Sequence, residues 1–222
     1  MRIDSEALDF LKELDQNNNR DWFGENKPRF KRLEAGIKEF MNELEIRLNR
    51  HDWIDQAKLF RVYRDVRFSG DKTPYKPHFA MWFSRQGEDR RGGYYLRIKP
   101  GETFLGAGFW RPDKADLLRI RKEWEMDASP LRSLLANPNF GRYWGELKGE
   151  QLKRAPKGFS PEHPDIDLIK FKQYLFTREF TDQEVLDEHW IETADQHFKE
   201  IRPFLDLMSD VLTTNLNGES LL

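Results

Sequence analysis

The stretch Arg61-Val62-Tyr63-Arg64-Asp65-Val66-Arg67-Phe68-Ser69-Gly70-Asp71-Lys72-Thr73-Pro74-Tyr75-Lys76 concentrates the side chains able to do chemistry in this chain of 222 residues. Phe60, Val62, Val66 and Phe68 alternate with Arg61, Tyr63, Asp65 and Arg67, the period of a strand with one buried face. Arg64 falls on the apolar side of that alternation, where its charge needs an answer, because an unpaired buried ion is costly. The answer is either a carboxylate from elsewhere in the chain or an anionic ligand. Guanidinium groups clamp carboxylate or phosphate bidentately, and lysines act as mobile point charges. Arg64, Arg67, Lys72 and Lys76 are therefore expected to hold an anion at the strand end, with Tyr75 giving a directional hydrogen bond. Asp65 or Asp71 would orient the cations or act as a base. His78, just past the loop, is the nearest side chain able to move protons near neutral pH. The competing reading is an Arg–Asp network that fixes strand register and binds nothing.

Other motifs carry less. Gly106-Ala107-Gly108 supplies half of a dinucleotide glycine loop, but Arg111 stands at the third glycine and no βαβ unit surrounds it. Small residues there are expected to let another backbone or ring lie close. There is no phosphate-binding Walker loop and no Gly-x-Ser-x-Gly elbow. His189 and His197 are not spaced as zinc-binding helices require, so no metal site is expected. Tyr94, Tyr95 and Arg97 interleave rings and charge as single-strand nucleic-acid platforms do, and ordinary cross-strand packing explains them equally.

The elements that must position these groups are legible from periodicity. Leu8, Leu11 and Leu14 mark a first helix, ended by Asp15-Gln16-Asn17-Asn18-Asn19; Asn18 or Asn19 caps a new turn. Pro28 suits a first helical turn, and Leu33, Ile37, Phe40, Leu44 and Leu48 continue a long amphipathic helix. Strands are expected at 60–68, around Phe79-Met81-Phe83, over 94–99 and over 103–109, with a turn at Lys99-Pro100-Gly101-Glu102. Pro112-Asp113 opens a helix to about Met126, Ser129-Pro130 and Asn137-Pro138 open two shorter ones, and 171–176 reads as a fifth strand. Thr181-Asp182-Gln183-Glu184 fits a capping box, and Ala194, Phe198, Ile201, Leu205, Met208 and Leu212 mark a last helix that Pro203 interrupts.

The expected fold is α+β: an antiparallel meander of four to five strands packed against long N- and C-terminal helices. One domain is expected over 1–222, helical over 1–57, sheet over 58–110, short helices and a possible extra strand over 111–176, C-terminal helices over 177–214, and a frayed tail over 215–222. Aromatic residues make up 14% of the chain, more than disordered chains carry, so it is expected to fold despite 34% charged residues. Cysteine is absent, which excludes disulfides, thiolate metal sites and a cysteine nucleophile. Met1-Arg2-Ile3-Asp4-Ser5-Glu6 lacks an apolar leader and no long apolar run follows, so a soluble cytoplasmic protein without membrane contact is expected. The net charge of −2 hides segregation: residues 58–100 carry 11 basic and 4 acidic side chains, and 177–222 carry 3 and 11. The basic segment either attracts an anion or docks against the acidic C-terminal helix of its own chain.

Asn17-Asn18-Asn19-Arg20-Asp21-Trp22-Phe23, the segments 61–69 and 71–76, Phe104-Leu105-Gly106-Ala107-Gly108-Phe109-Trp110 with Pro112, and Lys153-Arg154-Ala155-Pro156-Lys157-Gly158-Phe159 with His163-Pro164 occur in that order. In this set the chain resembles the uncharacterised family called domain of unknown function 2461, from about residue 5 to 212. The resemblance implies a single-domain protein and brings no activity, ligand or catalytic residue.

Three functions follow from the residues. The first is binding of a small phosphate- or carboxylate-bearing ligand at the strand-end cluster, with acid–base chemistry by His78 and Asp65 or Asp71 if the protein is an enzyme. The second is a non-enzymatic module whose basic sheet region, carrying Tyr94, Tyr95, Arg90 and Arg91, meets a protein or a nucleic acid. The third uses the charged loop only for contact between copies.

Overall fold

A computed structural model describes residues 1–67 and 70–222. Helix α1 (Ser5–Gln16) starts where the Asp4 side chain accepts from the Glu6 N–H, and it buries Leu8, Leu11 and Leu14. Helix α2 (Arg20–Leu48) starts at Asn19, whose side chain accepts from the Trp22 N–H. Pro28 lies inside α2 rather than in its first turn, because the helix begins eight residues earlier than the proline alone suggests. The residue four positions before it, whose carbonyl loses its partner, is Gly24.

The sheet has five antiparallel strands in the order β1-β2-β3-β4-β5: β1 (Ile54–Leu59), β2 (Phe79–Arg85), β3 (Gly93–Ile98), β4 (Thr103–Phe109) and β5 (Tyr174–Phe180). Neighbours in sequence are neighbours in space, as the short connections from β2 to β3 and from β3 to β4 require for those strands. The first strand departs from the expected 60–68. Regular pairing ends at Leu59, and beyond it a ribbon holds one isolated bridge, Tyr63 to Tyr75. The alternation of 60–67 is real, but loop residues answer it, not a continuous neighbouring strand. Phe68, assigned to that strand from the sequence, lies outside the described residues.

Between β4 and β5 run α3 (Lys114–Met126), α4 (Ser129–Leu135), α5 (Pro138–Trp144) and α6 (Ile166–Ile169). Asp113 and Asn137 cap α3 and α5. After β5, the Thr181–Glu184 capping box starts α7 (Asp182–Val185), and α8 (Trp190–Thr213) continues through Pro203. Residues 215–222, expected to fray, turn back: Asn215 N–H donates to Glu219 O at 2.9 Å and Leu221 N–H to Thr213 O at 2.8 Å. No helix among the described residues is long and apolar enough to cross a membrane.

The chain forms two compact units. One comprises residues 1–83, 95–105 and 179–196, the other 84–94, 106–178 and 197–222. In the first, Phe10 and Phe30 join α1 to α2 at 5.9 Å between ring centroids, and Phe30 stacks on Phe79 of β2 at 5.9 Å. In the second, Tyr94 packs on Phe198 at 5.1 Å and Phe176 on Phe204 at 4.9 Å. Gly108 has φ +120°, and a Cβ there would collide with the Tyr174 carbonyl, so the close backbone approach expected at Gly106-Ala107-Gly108 is what this glycine serves.

Strand alternation in the first unit sets up the site. Phe79, Met81, Leu96 and Ile98 are buried, while His78, Trp82, Tyr95, Arg97 and Phe104 alternate with buried neighbours and stay half-exposed.

Candidate functional site

The ribbon after β1 is held by backbone bonds and by one asparagine. Phe60 N–H donates to Ala80 O at 2.8 Å, Arg64 N–H to Pro74 O at 2.9 Å and Lys76 N–H to Val62 O at 2.8 Å. The Asn18 side chain closes both sides of Tyr75, donating to its carbonyl at 3.0 Å and accepting from its N–H at 3.1 Å. The Tyr75 ring stacks on Phe23 of α2 with centroids 4.0 Å apart. Consecutive asparagines thus divide the labour: Asn19 caps α2, and Asn18 fixes the loop that delivers Lys76 and His78.

The residues singled out in the sequence separate into two groups. Arg67 and Asp65 form a bidentate pair at 3.0 and 2.7 Å, with the Arg67 side chain 76% exposed, and this pair holds the Asp65 carboxyl below its ordinary value. Lys72 Nζ donates to Val66 O at 2.9 Å. Asp71 accepts from the Thr73 N–H at 2.9 Å and hydroxyl at 2.8 Å, contacts that lower its carboxyl, and it also pairs with Arg64. Tyr75 is buried in its stack, and burial raises its hydroxyl above the usual tyrosine range. These side chains shape and brace the loop.

The second group converges. Arg64 has 26% of its side chain exposed and meets Asp71 through Nη1, while its Nε is buried without a partner among the described residues. The inward guanidinium expected from the sequence is thus answered by Asp71 at Nη1, and its Nε is not answered among the described residues. His78 sits beside it, pushed down to about 4 by burial first and then by Arg97, Lys76, Lys99 and Arg64. Its ring and Lys76 Nζ make no hydrogen bond among the described residues. Burial, Arg61 and Arg64 lower Lys76 below the ordinary lysine range.

Arg97 of β3 and Lys99 just after it are not placed in this cluster by the sequence, which puts Arg97 with Tyr94 and Tyr95 and Lys99 in a turn. The signal available was their parity with Tyr95, one strand away from His78; the register that joins them cannot be counted from one chain. Arg97 Nη2 donates to Glu102 Oε2 at 3.2 Å, and its Nε is a second buried guanidinium nitrogen without a partner among the described residues. Lys99 Nζ donates to Glu102 Oε1 at 2.5 Å, which draws the Glu102 carboxyl below its usual range. Arg64 thus pairs with Asp71, and Arg97 and Lys99 share Glu102, while Arg64, Lys76, Arg97 and Lys99 all act on one imidazole.

The sheet platform read as Tyr94, Tyr95, Arg90 and Arg91 does not form with those members. Tyr94 is fully buried, because period-two alternation turns it away from Tyr95. Arg91 pairs with Asp116 at 2.5 Å and Arg90 with Asp89 at 3.2 Å. Of the two fates foreseen for the basic segment, docking against the acidic C-terminal helix is seen at one residue. Arg85 is buried and pairs with Asp206 of α8. His51 bonds Asp195 at 2.9 Å, and His163 is fixed between Glu125 O and the Asp165 N–H, both at 3.1 Å. Among the described residues no group of three His, Cys, Asp or Glu is placed to hold a metal ion.

A family model described as "Conserved hypothetical protein (DUF2461)" matches residues 6–207. No curated protein and no solved structure matches the chain.

Proposed function

We propose that this chain, which belongs to the DUF2461 family of conserved hypothetical proteins, binds a small phosphate- or carboxylate-bearing ligand between Arg64, Lys76, His78, Arg97 and Lys99. One observation carries the reading: Arg64, Lys76, Arg97 and Lys99 act on a half-buried imidazole without a hydrogen-bond partner among the described residues, while Asp71 and Glu102 offset part of their charge. Like charges gathered in one place repel, and an anion relieves that repulsion. The Nε–H groups of Arg64 and Arg97 are buried donors without an acceptor among the described residues, so neither guanidinium is fully satisfied by them. Arg67 and Lys72 hold the loop and stand behind the site, as do Asp65 and Asp71. With Asp65 and Asp71 engaged, acid–base chemistry at this place rests on His78, which is neutral at physiological pH and, pushed down to about 4, is a weak base there until an anion raises it.

Calorimetric titration with inorganic phosphate and with succinate tests the proposal. At least one is expected to bind, and Lys76→Ala to weaken it about tenfold, the worth of one charge-assisted hydrogen bond. Equal affinity of the wild type and of Lys76→Ala, or no binding of either anion, would discard the assignment.

A further inference from the structure

Beside the cationic cluster, on the same half-exposed side of β3 and β4, lies a row of rings. The Arg97 guanidinium carbon sits 4.5 Å from the centroid of Phe104, so the cluster and the row share this residue. Phe104 and Tyr95 have centroids 5.6 Å apart, and Tyr95 and Phe60 6.5 Å. Lys58 Nζ closes the far end, 5.6 Å from the Phe60 centroid. Between Phe60 and Tyr95 runs β2, which places the small Ala80 there, its carbonyl bonded to the Phe60 N–H. A larger side chain would stand up between the two rings.

Rings on the open side of a sheet cost exposed apolar area, and cations over the two end rings keep that area wet rather than covered. Ordinary cross-strand packing accounts for rings meeting one another. It does not account for their running directly into the Arg97 guanidinium, whose Nε has no acceptor among the described residues. A flat π-face next to an anion site matches a ligand having both parts, since bases stack on aromatic side chains while their phosphates meet cations.

We infer that the ligand of the proposed anion site is a nucleotide, its base lying on Tyr95 and Phe104 and its phosphate on Lys76 and Arg64. The inference rests on the anion reading above and adds the aromatic half of the ligand. The same chemistry is presented by a free mononucleotide and by a unit of a single strand.

Five probes separate the possibilities: inorganic phosphate, ribose 5-phosphate, adenosine, adenosine 5′-monophosphate and decaadenylate. Adenosine 5′-monophosphate is expected to bind about tenfold or more tightly than ribose 5-phosphate, within the range of one base–ring stack. Tyr95→Leu and Phe104→Leu keep the apolar volume without the π-face, and each is expected to shrink that advantage while leaving phosphate affinity unchanged. Thermal melting confirms that each variant folds. Decaadenylate binding more tightly than the monophosphate supports the inference with a strand as source, and equal or weaker binding supports it with the free nucleotide. Equal affinity for adenosine 5′-monophosphate and ribose 5-phosphate overturns the inference while leaving anion binding intact. No binding of any phosphate-bearing probe overturns both.

Discussion

An imidazole surrounded by cations, with no hydrogen-bond partner among the described residues, stays neutral far below the pH at which an exposed histidine takes its proton. For His78 this links stability to pH. The unfolded chain protonates the ring near about pH 6.5, the folded chain near about pH 4. Between those values the unfolded state binds more protons, so stability is fully present above the window, falls as pH drops through it and levels off below. The loss is at most about 3 kcal/mol and smaller after solvent screening, because the ring is only half-buried. Urea denaturation of His78→Asn across this window is expected to show a shallower acid decline than the wild type; an unchanged slope would mean that the ring titrates normally. The location of the cluster was half-legible in the sequence. Alternation flagged Arg64 as an inward charge and proximity flagged His78. Arg97 and Lys99 reach the same place through the pairing of β2 with β3, a long-range register that local spacing does not encode.

The loop that carries Lys76 is positioned by α2 as much as by the sheet. Asn18 satisfies both backbone groups of Tyr75, and Phe23 covers its ring. Asn18→Ala leaves two partly buried backbone groups without their partner, so a loss of about 1–3 kcal/mol is expected in chemical denaturation, together with weaker phosphate binding. Unchanged stability would show that water replaces the asparagine at no cost. The sequence signalled the Asn17-Asn18-Asn19 run as a helix stop and start, which is Asn19's role. The role of Asn18 spans 57 residues and was invisible locally. β1 was missed because it begins the strand order as an edge, and its exposed Asp55, Gln56 and Lys58 blur the alternation that marks buried strands. The fifth strand was placed early for a related reason. Residues 148–152 pair beside 170–175 through isolated bridges, so Phe171 is buried by that ribbon ahead of β5.

For the whole molecule, the meander of β1 to β4 followed from short connections and alternating burial, which are local properties. The return of β5 after four helices was read only as one more strand, since nothing in the intervening residues states where it lands. The net charge of −2 gives the chain no general attraction for anions, so binding must come from the local excess around His78. Affinity for phosphate is accordingly expected to fall as salt rises from low to about 0.15 M, where charges beyond about 8 Å are screened. Calorimetry at several salt concentrations measures this, and a salt-independent affinity would remove the electrostatic basis of the site. The most direct measurement follows the His78 ring by NMR near pH 6 during titration with inorganic phosphate. An anion beside the ring raises its pKa, so the resonance is expected to move saturably toward the protonated position, and to do so weakly or not at all in Lys76→Ala. A His78 resonance that stays fixed while phosphate is bound would place the anion elsewhere and contradict the assignment.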